Sequence, residues 1–243
     1  MVMVEHITLR DYSDRMEPRE PHDPLSGPRQ RLEVRAGGRT YVLERTADLE
    51  SLWESMDADQ FGDDERLPYW VELWPAALLL ADWIAREPGR VAGRTCLDLG
   101  CGLGLTAIAA ADRGGRVLGL DYEYPALAFA RDNARLNGVD VLWTHMDWRE
   151  PGLAEGAFER VFGADILYER RFFEPLERLF RQVLAPGGAI WIAEPAREIS
   201  LGVWNELRDR GWRAERLTTE SVPAATGGGY SATVHLWELT RQT

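Results

Sequence analysis

Cys96-Leu97-Asp98-Leu99-Gly100-Cys101-Gly102-Leu103-Gly104-Leu105-Thr106 is the stretch on which the fold turns. An apolar, strand-like run enters a glycine-rich turn, and the turn leads into a helix. Glycines let the backbone come close to a ligand, and a helix N-terminus offers unpaired N–H groups to negative charge. Asp121 follows about twenty residues on, at the end of the next strand-like run, where an acid can bind ribose hydroxyls. A nucleoside-bearing ligand is implied. The turn reads G-x-G-x-G, with Leu105 where the dinucleotide fingerprint G-x-G-x-x-G places its third glycine. Asp98 adds a carboxylate where a pyrophosphate would be repelled and a cationic or zwitterionic ligand tolerated. Packing alone also produces glycine-rich strand ends.

Outward from this turn the chain alternates between two periods. Strand-like runs at 95–99, 117–121, 141–144, 160–165 and 189–193 are separated by helical stretches near 103–112, 125–137 and 172–184. Such alternation predicts a parallel sheet covered on both faces. Pro75 suits the first turn of an earlier helix, which Pro88-Gly89 ends. A helix over 200–210, with Ser200 as N-cap and Gly211 beyond its end, precedes two last strand-like runs at 212–218 and 232–239. No helix-length segment separates them, so they should form an antiparallel hairpin at one sheet edge, around a mobile loop 219–231. Upstream, 1–30 holds four prolines and no period and reads as a leader, while 31–44 reads as a hairpin turning at Gly37-Gly38. The expected division is 1–66 for leader, hairpin and an acidic segment, and 67–243 for the main domain.

A chain of 243 residues, 45% hydrophobic, suits one large globular domain and excludes disorder throughout. Every one of its 28 basic residues is arginine, a pattern that arginine-favouring codon usage explains. Against 40 carboxylates they leave a net charge of -12. That balance argues against holding nucleic acid through its phosphates and against an anionic membrane, and suits a cationic or neutral partner. Eight of the acids lie in 48–66 with one arginine, either as a solvated turn and loop or as a rim that concentrates a cationic substrate. Cys96 and Cys101 have no second ligand pair, so neither a metal site nor a disulfide is expected. The apolar run 76–80 is far shorter than the ~20 residues that span a bilayer, and the acidic start is unlike a signal peptide; a cytoplasmic protein is expected.

The motif D-L-G-C-G-L-G with its later acid resembles the S-adenosylmethionine site of the seven-strand, class I methyltransferases. Their fold is α/β: a Rossmann-like, doubly wound seven-stranded sheet with a C-terminal antiparallel hairpin, to which this chain adds an N-terminal β-hairpin extension. More narrowly, Trp74-Pro75-Ala76-Ala77, Asp147-Trp148 and Gly163-Ala164-Asp165-Ile166-Leu167-Tyr168 follow the order and spacing of one subgroup. These are the family 16-like protein lysine methyltransferases, related to those acting on chaperones, elongation factors and the electron transfer flavoprotein β-subunit. The resemblance covers roughly residues 68–195 and leaves the flanks unmatched.

The resemblance implies S-adenosylmethionine as cofactor. Gly100, Gly102 and Gly104 would line its methionine and ribose part, with Asp98 beside them, and Asp121 would hold the ribose hydroxyls. Trp148 would pack on the adenine and Asp147 accept from its exocyclic amine, while Ala164 and Trp74 would line the remaining sides. The subgroup's D-x-x-Y signature falls on Asp165 and Tyr168. Methyl transfer from a sulfonium to an amine is an in-line displacement that depends on orientation and on a deprotonated nitrogen. A lysine ammonium, with a pKa of ~10.4, must first lose a proton, which burial among aromatic rings favours. Asp165 could orient the amine and help remove the proton, and Tyr168 could wall the developing cation. A structural acid and a packed tyrosine are the plainer alternative.

Other polar and aromatic residues have bland readings. Asn133 and Asn137 share a helix face with Ala126 and Ala130, point toward the sheet, and should tie down neighbouring backbone. His145 and His235 are expected to be structural. Glu194 either faces substrate or belongs to the Pro195 turn. Trp70, Trp74 and Trp148 lie beside the predicted cleft; Trp53, Trp83, Trp191, Trp204, Trp212 and Trp237 are expected to pack. The partner implied is a lysine-bearing protein with a basic surface, or else a small-molecule amine; a cofactor-binding module without catalysis is the third reading. No Asn-Pro-Pro-Tyr motif follows the fourth strand, which disfavours adenine and glutamine as acceptors.

Overall fold

The computed structural model describes residues 25–47, 68–225 and 231–242. Most of the leader, the acidic segment with Trp53, and the triple glycine 227–229 lie outside the described residues. The first elements are β1 (Arg29–Ala36) and β2 (Arg39–Thr46), paired antiparallel around Gly37-Gly38. There follow α1 (Pro75–Arg86), β3 (Thr95–Leu99), α2 (Leu105–Asp112), β4 (Arg116–Asp121), α3 (Tyr124–Leu136) and β5 (Leu142–His145). The second half comprises β6 (Phe158–Ala164), α4 (Phe173–Val183), β7 (Leu184–Pro195), α5 (Glu198–Asp209), β8 (Trp212–Pro223) and β9 (Ser231–Arg241).

Seven strands form one sheet in the order β5-β4-β3-β6-β7-β9-β8, parallel except for β9, which runs antiparallel between β7 and β8. The chain winds outward from β3 to β5 and then returns to lay β6 against the other side of β3. The strand order reverses there, which opens a crevice at the carboxyl ends of β3 and β6. Alternating side chains feed two cores. Cys96, Phe162, Trp191 and Leu236 pack under α1 and α2, whereas Leu97, Val161, Ile190 and Leu239 pack under α4 and α5. Among the described residues no helix is long and apolar enough to cross a membrane.

Several boundaries differ from the sequence reading, and those of β7, β8 and α5 are the most informative. Strand β7 starts at Leu184, ahead of the expected Ala189, because its pairing with β6 slips between Phe158 and Arg160 and a Pro186-Gly187-Gly188 run absorbs the irregularity. Strand β8 continues to Pro223 through the polar stretch Thr218-Thr219-Glu220-Ser221. An edge strand facing water carries polar residues and so resembles a loop in sequence. Helix α5 begins at Glu198 with Arg197 at its N-cap, so Ser200 lies within the helix.

The N-terminal hairpin is packed onto the helices. Val34, Ala36, Tyr41 and Leu43 bury against Ala81 and Ala85 of α1 and Leu105, Ile108 and Ala109 of α2. Asn133 and Asn137 hold it from α3, and their amides meet β2 backbone rather than the sheet. Asn133 accepts from the Glu44 N–H at 2.7 Å and donates to the carbonyls of Glu44 at 3.1 Å and Leu103 at 3.0 Å. Asn137 repeats the pattern on Val42, accepting at 2.9 Å and donating at 2.7 Å. Two side-chain amides thus stand in for a neighbouring strand. Arg45, buried on β2, carries the connection onward by donating to Glu72 Oε2 at 2.6 Å and to the Val71 carbonyl at 3.4 Å.

Candidate active site

A cavity of about 510 Å³ opens at the carboxyl ends of β3, β4 and β6, at the reversal of strand order. Ten of the eleven residues singled out in the sequence line it: Trp74, Gly100, Gly102, Gly104, Asp121, Asp147, Trp148, Ala164, Asp165 and Tyr168. The eleventh, Asp98, does not. It belongs to β3 itself, is buried below the turn, and accepts from the Ala107 N–H inside α2. Its Oδ2 finds no hydrogen-bond partner among the described residues, and burial pushes its carboxyl well above the usual range. The expectation that this carboxyl stands beside the ligand differs from its placement off the cavity wall, where burial works against its charged form.

The turn after β3 fits the close approach of a ligand backbone. Gly100 has φ +63°, and a Cβ there would come within 3.1 Å of Ile166 Cγ2 and 3.3 Å of the Trp148 ring. Gly104 has a different reason: at φ +86° it is the N-cap of α2, and a Cβ would press on Ala130 and Trp143 at 3.0 Å. Asp121 ties the turn to β4. Its Oδ2 accepts from the Gly102 N–H at 2.8 Å and its Oδ1 from the Glu123 N–H at 2.9 Å, and the residue lines the cavity. Burial pushes its carboxyl up to about 6, against the pull of those N–H groups. The glycine cradle and this carboxylate suit the amino-acid and ribose portions of S-adenosylmethionine.

Asp147, expected to receive an exocyclic amine, is already gripped by Arg149. Oδ1 accepts from the Arg149 backbone N–H at 2.8 Å and from Nε at 3.0 Å, and Oδ2 from Nε at 2.8 Å. Trp148 remains open to pack on a base. Cys101 also lines the wall, but burial pushes its thiol well up and keeps it from acting as a thiolate.

Aromatic rings form a continuous arc around the mouth. Trp74 meets Tyr69 at 6.0 Å between centroids, Tyr69 meets Tyr168 at 5.7 Å, Tyr168 meets Phe172 at 5.3 Å, and Phe172 meets Trp148 at 5.5 Å, all edge-on. Trp74 is fixed by donating its indole N–H to the Tyr69 carbonyl at 2.9 Å. Phe172 was missed in the sequence; it occupies a short 3-10 turn and carries no motif of its own. Trp70 lines the wall and packs on Phe129. Tyr168 is half-buried, and burial pushes its phenol further above its ordinary value, so it stays protonated.

Asp165 closes β6 with φ +56°, and Arg197 donates to both of its oxygens, at 2.8 and 3.1 Å. Sequence reasoning missed Arg197. The remaining candidates lie off the site: Glu194 is buried and accepts from the Trp204 indole at 2.6 Å, His145 pairs with the Tyr122 carbonyl at 2.7 Å, and His235 pairs with Thr219 at 2.9 Å.

Residues 96–188 match the family model described as a methyltransferase domain. The chain is 33% identical over 129 residues to the ribosomal protein L11 methyltransferase of Vibrio parahaemolyticus, covering 52% of this chain and 41% of that protein. It is 29% identical over 147 residues to the electron transfer flavoprotein beta subunit lysine methyltransferase of Rattus norvegicus, covering 60% and 56%. The chain thus spans about half the length of these curated relatives. Magnesium protoporphyrin IX methyltransferase from Synechocystis PCC 6803, solved with S-adenosylmethionine bound, has a TM-score of 0.54 at 18% identity, covering 76% of this chain and 94% of that one. At that identity the likeness is one of fold. Residues 96–188 thus match a methyltransferase domain, and the chain carries them in the Rossmann-like, seven-strand methyltransferase fold.

Proposed function

We propose that this chain transfers a methyl group from S-adenosylmethionine to the side-chain amine of lysine on a protein substrate, with residues 67–243 as the catalytic domain and the N-terminal hairpin as its extension. The observation that carries this is that the aromatic arc, the Asp165 carboxyl and the glycine turn line one cavity. When bound, S-adenosylmethionine supplies an electrophilic methyl carbon on a sulfonium. Gly100, Gly102 and Gly104 leave room for its amino-acid and ribose portions, Asp121 accepts from the ribose hydroxyls, and Trp148 packs on the base. Ala164 and Trp74 border the remaining sides. The rings of Tyr69, Tyr168 and Phe172 exclude water from an entering amine, which lowers its pKa and favours the neutral nucleophile. Their faces also tolerate the cation that forms on nitrogen. Asp165 receives an amine N–H and sets the angle of approach, a contribution of orientation. Tyr168 cannot serve as a base while its phenol is held protonated. That both relatives above are named for action on a protein supports a protein acceptor over a small-molecule amine.

Incubating the purified chain with methyl-labelled S-adenosylmethionine and a proteome extract tests this. Label should enter protein and be recovered as methyl-lysine after hydrolysis, and the Asp165→Ala variant should lose at least about a hundredfold in rate while keeping S-adenosylhomocysteine affinity within about threefold. Label confined to the small-molecule fraction would overturn the protein acceptor. Normal turnover by Asp165→Ala would overturn the role of that carboxylate.

A further inference from the structure

Arg197 lies two residues past β7, at the N-cap of α5, and reaches back to the end of β6. Its Nη1 donates to Asp165 Oδ1 at 2.8 Å and its Nη2 to Oδ2 at 3.1 Å, the parallel fork that a guanidinium makes with a carboxylate. The Asp165 side chain is 8% exposed, that of Arg197 39%. Asp165 still donates its backbone N–H to the Ala193 carbonyl at 2.8 Å, so strand pairing holds up to the residue whose backbone then turns left-handed at φ +56°. A residue with a Cβ stays in that conformation only where its surroundings hold it. Both partners line the cavity.

We infer that Arg197 is the positioning residue for the acceptor: it fixes the plane of the Asp165 carboxyl and leaves the outer lone pairs of the two oxygens to receive an N–H of the entering amine. The inference rests on the reading above that the acceptor is an amine. In the transfer, the nitrogen lone pair forms the N–CH3 bond as the C–S bond breaks and its electron pair stays on sulfur. The displaced N–H proton passes to water, because a carboxylate held by a guanidinium on both oxygens is a poor proton acceptor. Burial alone pushes the Asp165 carboxyl up, and the cation that opposes this is Arg197. Other charged groups on the cavity wall have their own partners. Asp147 is held by Arg149, Glu169 by Arg171, Glu72 by Arg45, and Asp121 by the N–H groups of Gly102 and Glu123; the Glu123 carboxyl stands at the same β4 end. A lysine in place of Arg197 would supply charge without the fork.

The test titrates Asp165 directly in the full chain, by 13C NMR of carboxyl-labelled aspartate, with the resonance assigned by its loss in Asp165→Asn. In Arg197→Gln the midpoint should rise by at least about one pH unit, the usual effect of removing an adjacent guanidinium. Arg197→Lys should rise by less, and serves as the measure if the glutamine variant fails to fold. The acid limb of the pH profile of kcat/KM should move upward by the same amount, with activity recovering at high pH. An unmoved midpoint in both variants, or a loss of rate equal at every pH, would overturn the inference. A wild-type chain that titrates as described yet methylates no amine would instead sink the functional reading and leave the Arg197 effect on Asp165 standing.

Discussion

Asp121 shows how much one carboxylate is asked to do. It closes the glycine turn through two backbone N–H groups and is the acid proposed to hold the ribose, yet it is buried enough that its pKa rises to about 6. Above pH 6 it is ionised and accepts strongly from hydroxyls; below pH 6 it takes up a proton and loses that charge. Affinity for S-adenosylhomocysteine is therefore expected to fall as pH drops through 6, by up to about tenfold per unit, in calorimetric titrations between pH 8 and pH 5. Asp121→Asn should bind weakly with a flat profile, and a flat wild-type profile would remove Asp121 from the ribose site. Asp121 and Asp165 were legible in the sequence because each ends a strand beside a glycine or a D-x-x-Y spacing. Asp98 was expected beside the glycines yet is buried off the cavity wall, since its position relative to the glycines says nothing about which way a β3 side chain faces. Arg197 could not be seen at all: it is 32 residues from its partner and stands in an unremarkable Ala196-Arg197-Glu198 context.

Among the elements, the N-terminal hairpin depends most on a few polar groups. Asn133 is fully buried and satisfies three backbone groups, two on Glu44 and one on Leu103. Removing its amide leaves those groups buried and unpaired, at about 1–3 kcal/mol each before relaxation. Asn133→Ala is expected to lower unfolding stability by about 2–4 kcal/mol, read from the urea midpoint at unchanged slope. A loss below about 1 kcal/mol would show that hydrophobic packing of Tyr41 and Leu43 holds the hairpin without the amide. Helical periodicity had placed Asn133 on a buried face of α3, but period identifies a face and not what lies against it. Strand β8 shows the same limit from the other side: its polar outer half pairs with β9, although its composition reads as loop.

On the scale of the whole molecule, strand order decides where ligand chemistry can occur. The reversal beside β3 brings the ends of β3, β4 and β6 to one cavity, although these lie far apart in the chain. The turn there also argues against a dinucleotide, because Gly104 serves as the α2 cap and Leu105 already begins the helix. Calorimetry on the intact chain should give measurable heat with S-adenosylmethionine and none with NAD at the same concentration; the opposite result would refute the cofactor assignment. The all-arginine composition acquires a structural use in this context. Forked guanidinium pairs at Asp147 and Asp165 need a planar donor that a lysine ammonium cannot replace. Having no lysine, the chain also offers no side chain of the proposed acceptor type to its own site.

The sequence by itself determined the alternation of strands and helices, the glycine turn with its later acid, and the D-x-x-Y pair, because periodicity and backbone freedom are properties of a few adjacent residues. Tertiary structure alone decided that Asp98 is sealed below the turn, that Asp165 is held by Arg197, and that five rings join into one arc. Those outcomes turn on burial and on distances between remote elements, and electrostatic and ring contacts act over a few ångströms of space regardless of separation along the chain.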